Sequence, residues 1–505
     1  MFSRPWSRRL DVTSVGSPGF VAELGLWDDQ QAQAAERVMA CLDEIELVRL
    51  VFCDPHGLPR SKTLTTESFR RALGNGMDFS PGPFLFDTGH AVAIDIFGEN
   101  PGLGVDEIIG AGDFLVVPDP LTFQVVPEVE PRTAWVLGDE YLRDGTPHPL
   151  STRHVLRRVG ARYAAHGLEP VVGLEVEWYL TRLIGNSPGN KGNGFGLQGP
   201  APAVEAVNPG YQFNFDGYLQ SLADVANPLA TALLALGLPL RSMEHESGPG
   251  QLEFTFDPML ASDAADAMLL FRTLVKQTCA RRGFHASFMS LPKLDSFDPS
   301  GWHLHQSVIN TTTGRNVFAP EGAGDGVSPE GKAYIDGILA RTRDYCLLSV
   351  PTINGYRRFG GQFPLAPTQI GWSFEDRRVM LRVLGAGSST HIENRVGEPC
   401  ANPYLAISAQ MSAGLDGLLG EASPSESAAP FSVASGDTLP PSLGEALDAF
   451  RLSKEAKELL GQPLMTCLVK LKESELSRFE AWRESEQPCD TGVTDWEQRE
   501  YFSVY

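Results

Sequence analysis

Four short stretches of this chain set acidic or imidazole side chains two residues apart in strand-like surroundings. They are Gly173-Leu-Glu175-Val-Glu177, Glu246-Ser-Gly-Pro-Gly250-Gln251-Leu-Glu253, Trp302-His303-Leu-His305-Gln-Ser307 and His391-Ile-Glu393-Asn-Arg395. Residues i and i+2 of a β-strand share one face. Glu175 with Glu177, His303 with His305, and Glu393 with Arg395 therefore project in pairs from a sheet. Glu175, Glu177, Glu246, Glu253 and Glu393 on one face would repel and desolvate each other unless cations lay between them. The pattern points to a divalent-metal site with arginines beside it, and it requires strands far apart in sequence to be neighbours in one sheet.

The bulk numbers narrow the class. A chain of 505 residues with 42% hydrophobic content is long enough for a large catalytic core and a smaller domain. A net charge of −22 with no basic stripe argues against a nucleic-acid partner. Seven cysteines, with no CxxC or zinc spacing, fit reduced thiols in a cytoplasmic protein. No segment approaches the roughly 20 apolar residues of a membrane span.

Along the chain, residues 1–33 read as an N-terminal extension, 34–145 as a small β-rich domain and 146–505 as an α+β catalytic domain. Leu47–Phe52, Ala91–Phe97 and Phe114–Val117 read as strands, with Asp54-Pro-His-Gly57 as a turn. Helices are expected over 151–165, 228–236, 264–282, 442–452 and 474–483, with glycines at 167, 237 and 283 as stops. The Gly/Asn/Pro-rich stretch 185–203 and the polar stretch 421–435 read as loops.

Singly each motif is weak, because Glu-x-Glu on a strand is usually its solvated face. Their company changes this. Arg357 and Arg358 follow Asn354-Gly-Tyr356, while Asp376-Arg377-Arg378 and Arg382 follow Trp372. Cys400-Ala-Asn402-Pro403-Tyr404-Leu405 then opens an apolar helix. Carboxylates and imidazoles for hard cations, with arginines nearby, are the components of phosphoryl transfer.

From about residue 45 to the end, these ordered motifs make the sequence resemble the glutamine synthetase family. The resemblance implies a small β-grasp domain and a catalytic domain with a curved, mainly antiparallel sheet flanked by helices. It also implies a homo-oligomeric ring, a dodecamer, with sites between subunits. Its small-molecule substrates would be ATP, L-glutamate and an amine, with Mg²⁺ or Mn²⁺ as the cation. By the same resemblance Glu177, Glu246 and Glu253 hold the cation that organises glutamate, and Glu175, His303 and Glu393 the one that holds the nucleotide phosphates. Arg358 and Arg395 would grip glutamate carboxylates, Arg377 and Arg382 the phosphates. His305 and Ser307 would line the nucleotide pocket, and Gly301 and Leu365 the substrate pocket. The expected reaction passes through a γ-glutamyl phosphate that an amine then attacks.

Three departures matter. The flap after Arg358 reads Phe359-Gly-Gly-Gln362-Phe363-Pro364-Leu365-Ala366-Pro367, with Leu365 where ammonia users carry a glutamate. Asp298-Pro299 and His391 replace other residues of the family pattern, and Asp87 is the loosely aligned candidate for an acid near the amine. An apolar flap suits a neutral arylamine such as aniline. An ordinary ammonia-using glutamine synthetase, an alkylamine or polyamine ligase and a non-catalytic relative are the alternatives. Glu393→Ala is expected to end ATP use with little loss of fold.

Overall fold

The computed structural model describes residues 19–98, 101–127, 129–185, 199–210, 212–320, 326–421, 437–488 and 492–505. Two sheets organise them. The first holds β1 (Leu47–Cys53), β2 (Pro59–Thr65), β3 (Met77–Phe79), β4 (Phe114–Pro118), β5 (Gln124–Val125) and β6 (Thr133–Tyr141) in the order β2-β1-β6-β4-β3. β1 and β6 run parallel, and β2 folds back antiparallel through the turn at Asp54–Gly57. Gly57 there has φ +82, and a Cβ would stand 2.7 Å from the Asn402 Cα. Only glycine fits the turn.

The second sheet is built around β7 (Leu168–Leu183), against which β8 (Val204–Ala206), β10 (Gln251–Phe256), β11 (Met259–Leu260), β12 (Phe284–Ser287) and β13 (Trp302–Asn310) all pair. β9 (Leu240–His245) extends it beyond β10, while β16 (His391–Asn394), β15 (Leu381–Leu384) and β14 (Trp372–Phe374) extend it beyond β13. All pairs are antiparallel except β14 with β15. Val172, Leu174, Val176, Trp178 and Leu180 point one face of β7 into the core, each at most 1% exposed. Alternation therefore sends Glu175 and Glu177 to the opposite face.

Behind the core face lie the helices Ala261–Arg281, Pro329–Ser349 and Pro403–Leu418. The last two cross at glycines: a Cβ on Gly337 would meet the Ala413 carbonyl at 2.1 Å, and one on Gly417 the Ala333 carbonyl at 2.0 Å. Asn402 caps the third helix, accepting from the Tyr404 and Leu405 amides at 3.0 and 3.2 Å. Its Nδ2 donates to the Asp54 carbonyl at 2.9 Å. Arg272 adds bonds to the Gly57, Pro399 and Ala401 carbonyls, so the β1–β2 turn is tied to the helix start.

Some expectations are corrected. Residues 91–97 are no ladder strand; only Val92 makes an isolated bridge, to Phe86. Ile94 and Ile96 are buried alternately as a strand would demand, but the Asp95 carboxylate turns the chain by accepting from the Phe97 amide, and Phe97 is 78% exposed. Within the presumed extension, a helix over Asp29–Cys41 starts from an Asp28 capping box, and Gln31 bonds Asp119. The helix expected from 228 begins at Ala223 and carries Pro228 inside it. The one expected over 474–483 is part of Gln462–Glu486. The expected loops at 185–203 and 421–435 lie largely outside the described residues.

Candidate active site

Register alone draws the site as a row across the second sheet. Arg382 on β15 faces Glu393 on β16, which faces His305 on β13. His303 on β13 faces Glu175 on β7. Beyond it Glu177 faces Glu253 on β10, which faces Glu244 on β9. Gly173, opposite His305, leaves that ring its room, since a Cβ there would lie 3.3 Å from the His305 Cβ.

Two groups of donor atoms gather within 4.8 Å of one another: Glu175, His303 and Glu393, and Glu177, Glu253 and His303. Among the described residues these are the sets with metal-ligand geometry, and they share His303. Glu246, in the β9–β10 turn and half-buried, falls outside both sets, though Glu177, Glu244 and Glu175 act on its carboxylate. Oxygen-rich sets with one imidazole fit Mg²⁺ or Mn²⁺.

The two halves of the row differ electrostatically. On the β13–β16 side, burial would raise Glu175, yet the imidazoles of His303 (2.5 Å) and His305 (3.0 Å) hold it well below the usual range. Glu393, 1% exposed, is likewise depressed: against its burial act His303, Arg395 at 2.5 Å and His305, with Arg382 hydrogen-bonded at 3.3 Å. On the β10 side His303 and Arg358 act on Glu177, whereas Glu246 and Glu253 are surrounded chiefly by other acids. Burial, then Glu177, Glu244 and Glu175, push Glu246 up to about 8. Burial, then Glu175, Glu177, Glu246 and Glu244, push Glu253 up to about 11. Such mutual repulsion is what a bound cation relieves.

Around the row the arginines are fixed. Arg358, 3% exposed, donates to the carbonyls of Arg395, Val396 and Gly397. Its Nη2 and the His303 Nε2 would each lie 3.0 Å from a Cβ on Gly301. Glycine at 301 keeps the path between guanidinium, imidazole and Glu177 open, and its amide donates to the Glu177 carboxylate at 2.9 Å. Arg382 and Arg395 each keep a buried Nε that has no hydrogen-bond partner. Buried donors of this kind are costly alone and suited to a carboxylate or phosphate oxygen.

Other sequence candidates fall farther out. Ser307 sits on β13, half-buried, and Arg377 is exposed on the β14–β15 turn beside the Asp376–Arg378 ion pair. Leu365 is 59% exposed on its flap, while Phe359 is anchored against Tyr356. Asp87 is 4% exposed, and its carboxylate accepts from Ser474 and Arg478, both at 2.7 Å, and from the Gly89 and Ala91 amides. That carboxylate is committed to the helix Gln462–Glu486 of its own chain, which speaks against its use as a base.

Two contributors escaped the sequence reading. Glu244 hydrogen-bonds Glu253, and its i, i+2 spacing to Glu246 is the same signal that marked Glu175 and Glu177. Gln251 lies in the second acidic stretch with no role assigned to it from sequence. Its Nε2 donates to Glu177 at 3.1 Å and Ser300 at 3.1 Å, and its Oε1 accepts from the Gly248 amide, fixing the Glu177 carboxylate.

The chain is similar to known proteins over most of its length. Residues 149–501 match the glutamine synthetase catalytic-domain family. The chain is 37% identical to a gamma-glutamylanilide synthase of Acinetobacter sp, covering 96% of this chain and 99% of that protein. It is 29% identical to a glutamine synthetase of Methanosarcina mazei, covering 91% and 95%. A solved GmaS/ADP complex superposes with a TM-score of 0.72 at 25% identity, covering 92% of this chain and all of the other. The chain belongs to the glutamine synthetase family of ATP-dependent carbon–nitrogen ligases.

Proposed function

We propose that this ligase joins the γ-carboxylate of L-glutamate to an arylamine, giving a γ-glutamyl arylamide, ADP and phosphate. The observation that carries the acceptor is the flap. Residues 359–371 contain no acidic side chain, and Leu365 is exposed at the position where a carboxylate would otherwise meet ammonium. A small cation entering such a wall loses hydration without compensation. An arylamine brings apolar surface, and its nitrogen is already unprotonated near neutral pH. An alkylamine resembles a lysine side chain, with a pKa near ~10.4, and still needs a base. The similarity to a gamma-glutamylanilide synthase supports the same reading.

The residues divide the work as follows. Glu177, Glu246 and Glu253 would hold one divalent cation, and Glu175, His303 and Glu393 the other. Bound there, the cations supply charge neutralisation at the carboxylate and phosphate oxygens. Arg395 and Arg382, with their free Nε donors, hold phosphate and carboxylate oxygens as the glutamate γ-carboxylate oxygen bonds the ATP γ-phosphorus and the bond to the bridging oxygen breaks, leaving its electron pair on ADP. Arg358 grips the glutamate backbone carboxylate, and Gln251 keeps Glu177 oriented toward Gly301. The amine nitrogen then attacks the acyl carbon, the carbon–oxygen bond to phosphate breaks and the N–H proton leaves with the departing phosphate, with Leu365 and its neighbours excluding water from that step.

With saturating ATP and glutamate, aniline is expected to give a kcat/KM about tenfold or more above that of ammonia in a phosphate-release assay. Leu365→Glu is expected to shift the ratio about tenfold back toward ammonia. Ammonia emerging as the best acceptor of the panel would overturn the proposal.

The same reading includes a cytoplasmic protein assembled as a dodecameric ring, whose small β-rich domain, residues 34–145, reaches a neighbour's site. Light scattering is expected to return a closed oligomer, and a monomer at working concentration would contradict it.

A further inference from the structure

We infer that Phe213 and Phe215 form the aryl-binding wall on the acceptor side of the site, an inference that rests on the arylamine reading above. Residues 208–210 and 212–218 lie along the β9–β10 turn that carries Glu246. Asn208 Oδ1 accepts from the Gly250 amide at 3.0 Å, and its Nδ2 contacts the His245 Nε2 at 2.8 Å. A Cβ on Gly210 would collide with Pro249 at 2.2 Å, so the two stretches touch through backbone. The Asn214 amide donates to the carbonyl of His245, the residue before Glu246, at 2.9 Å. Tyr218 packs its ring on the His245 ring, with centroids 5.2 Å apart.

This anchoring fixes a tight turn. Asn214 has φ +54, a left-handed conformation that asparagine tolerates. The residues on either side of it are phenylalanines, 60% and 46% exposed, with Phe215 held edge-on by Tyr218 at 5.0 Å. Two exposed phenylalanines two positions apart, on a turn bonded to the residue before Glu246, leave apolar surface open to an occupant. Glu246 belongs to the glutamate-organising set, and the acceptor must approach the γ-carboxyl that this set holds. The aryl ring of the amine is the occupant whose chemistry matches: offset or edge-to-face contact with phenylalanine is its favoured packing.

The test compares aniline with hydroxylamine, a small acceptor that is neutral near pH 7 and has no ring. In Phe213→Ala and Phe215→Ala full-length protein, the ratio of kcat/KM for aniline over hydroxylamine is expected to fall about 10-fold or more. Phe213→Tyr is expected to keep the ratio. If wild-type protein itself prefers ammonia to aniline, the arylamine reading fails and takes this inference with it. If the wild type prefers aniline and the alanine variants keep the wild-type ratio, this inference alone is overturned. Both acceptors falling in parallel, or light scattering showing lost assembly, would make the rings structural or subunit contacts and would equally overturn it.

Discussion

Glu253→Gln and Glu393→Ala are expected to lose ATP turnover alike, by about 10²–10³-fold or more, and to differ in stability. Glu253 is pushed up to about 11 by burial and by four neighbouring carboxylates, so without cations it is protonated at pH 7. Glutamine copies that neutral group in shape, and the metal-free variant should unfold at the wild-type denaturant midpoint. Glu393 is the opposite case. It is ionised, 1% exposed and paired with Arg395 and Arg382. Alanine there leaves buried Arg395 without its carboxylate, an uncompensated charge that costs about 3 kcal/mol, while Arg382 keeps Glu375 at 2.8 Å. The sequence-based expectation that Glu393→Ala spares the fold is therefore corrected by the ion pairs around it. Phosphate release and urea denaturation of metal-free protein check both halves. A Glu393→Ala variant as stable as the wild type would show that Arg395 finds another partner.

Divalent-cation binding is expected to tighten steeply with pH. Glu246 at about 8 and Glu253 at about 11 both carry protons at pH 7 that a cation must displace. Calorimetry of Mn²⁺ in buffers of different ionisation enthalpy should therefore show release of about two protons at pH 7, and affinity rising about 100-fold per pH unit below pH 8. The sign for stability follows from the same two groups. Their folded pKa values exceed the unfolded carboxyl value, so the stability they contribute is fully present below about pH 4.5. It is lost as pH rises through about 8 for Glu246 and on toward 11 for Glu253. Metal-free protein should thus lose stability from pH 5 to 9, with Mg²⁺ restoring it at the alkaline end. Metal affinity independent of pH would refute the pairing of these acids.

The strand period made the site readable. Glu175, Glu177, His303 and Glu393 were recognisable because acids at i and i+2 contradict an apolar strand, and the structure sets them in adjacent registers. Less visible were effects that depend on partners across the sheet. Glu244 carries the i, i+2 spacing to Glu246, but its tie to Glu253 emerges only once β9 is placed beside β10. Asp87 could be matched by motif, but its commitment to Arg478 comes from a helix nearly 400 residues later. Ile94 and Ile96 carry strand alternation, yet burial without a ladder partner yields the same pattern. Local periodicity reports which face is buried; it does not report what lies against it.

β7 has a consequence for how the enzyme is made. Its partners arrive in the order β8, β10, β11, β12, β13 and, through β13, β16, so Glu175 and Glu177 leave the ribosome long before the residues that neutralise them. Synthesis at about 5–20 residues per second leaves this strand without its flanking strands for several seconds, its apolar face exposed to other chains. Long-range pairing of this kind is slow, since loops must close before contacts reward them. The cleft is among the last parts of the molecule to exist, and a nascent chain interrupted before Arg395 would hold the acids without the arginine that steadies them.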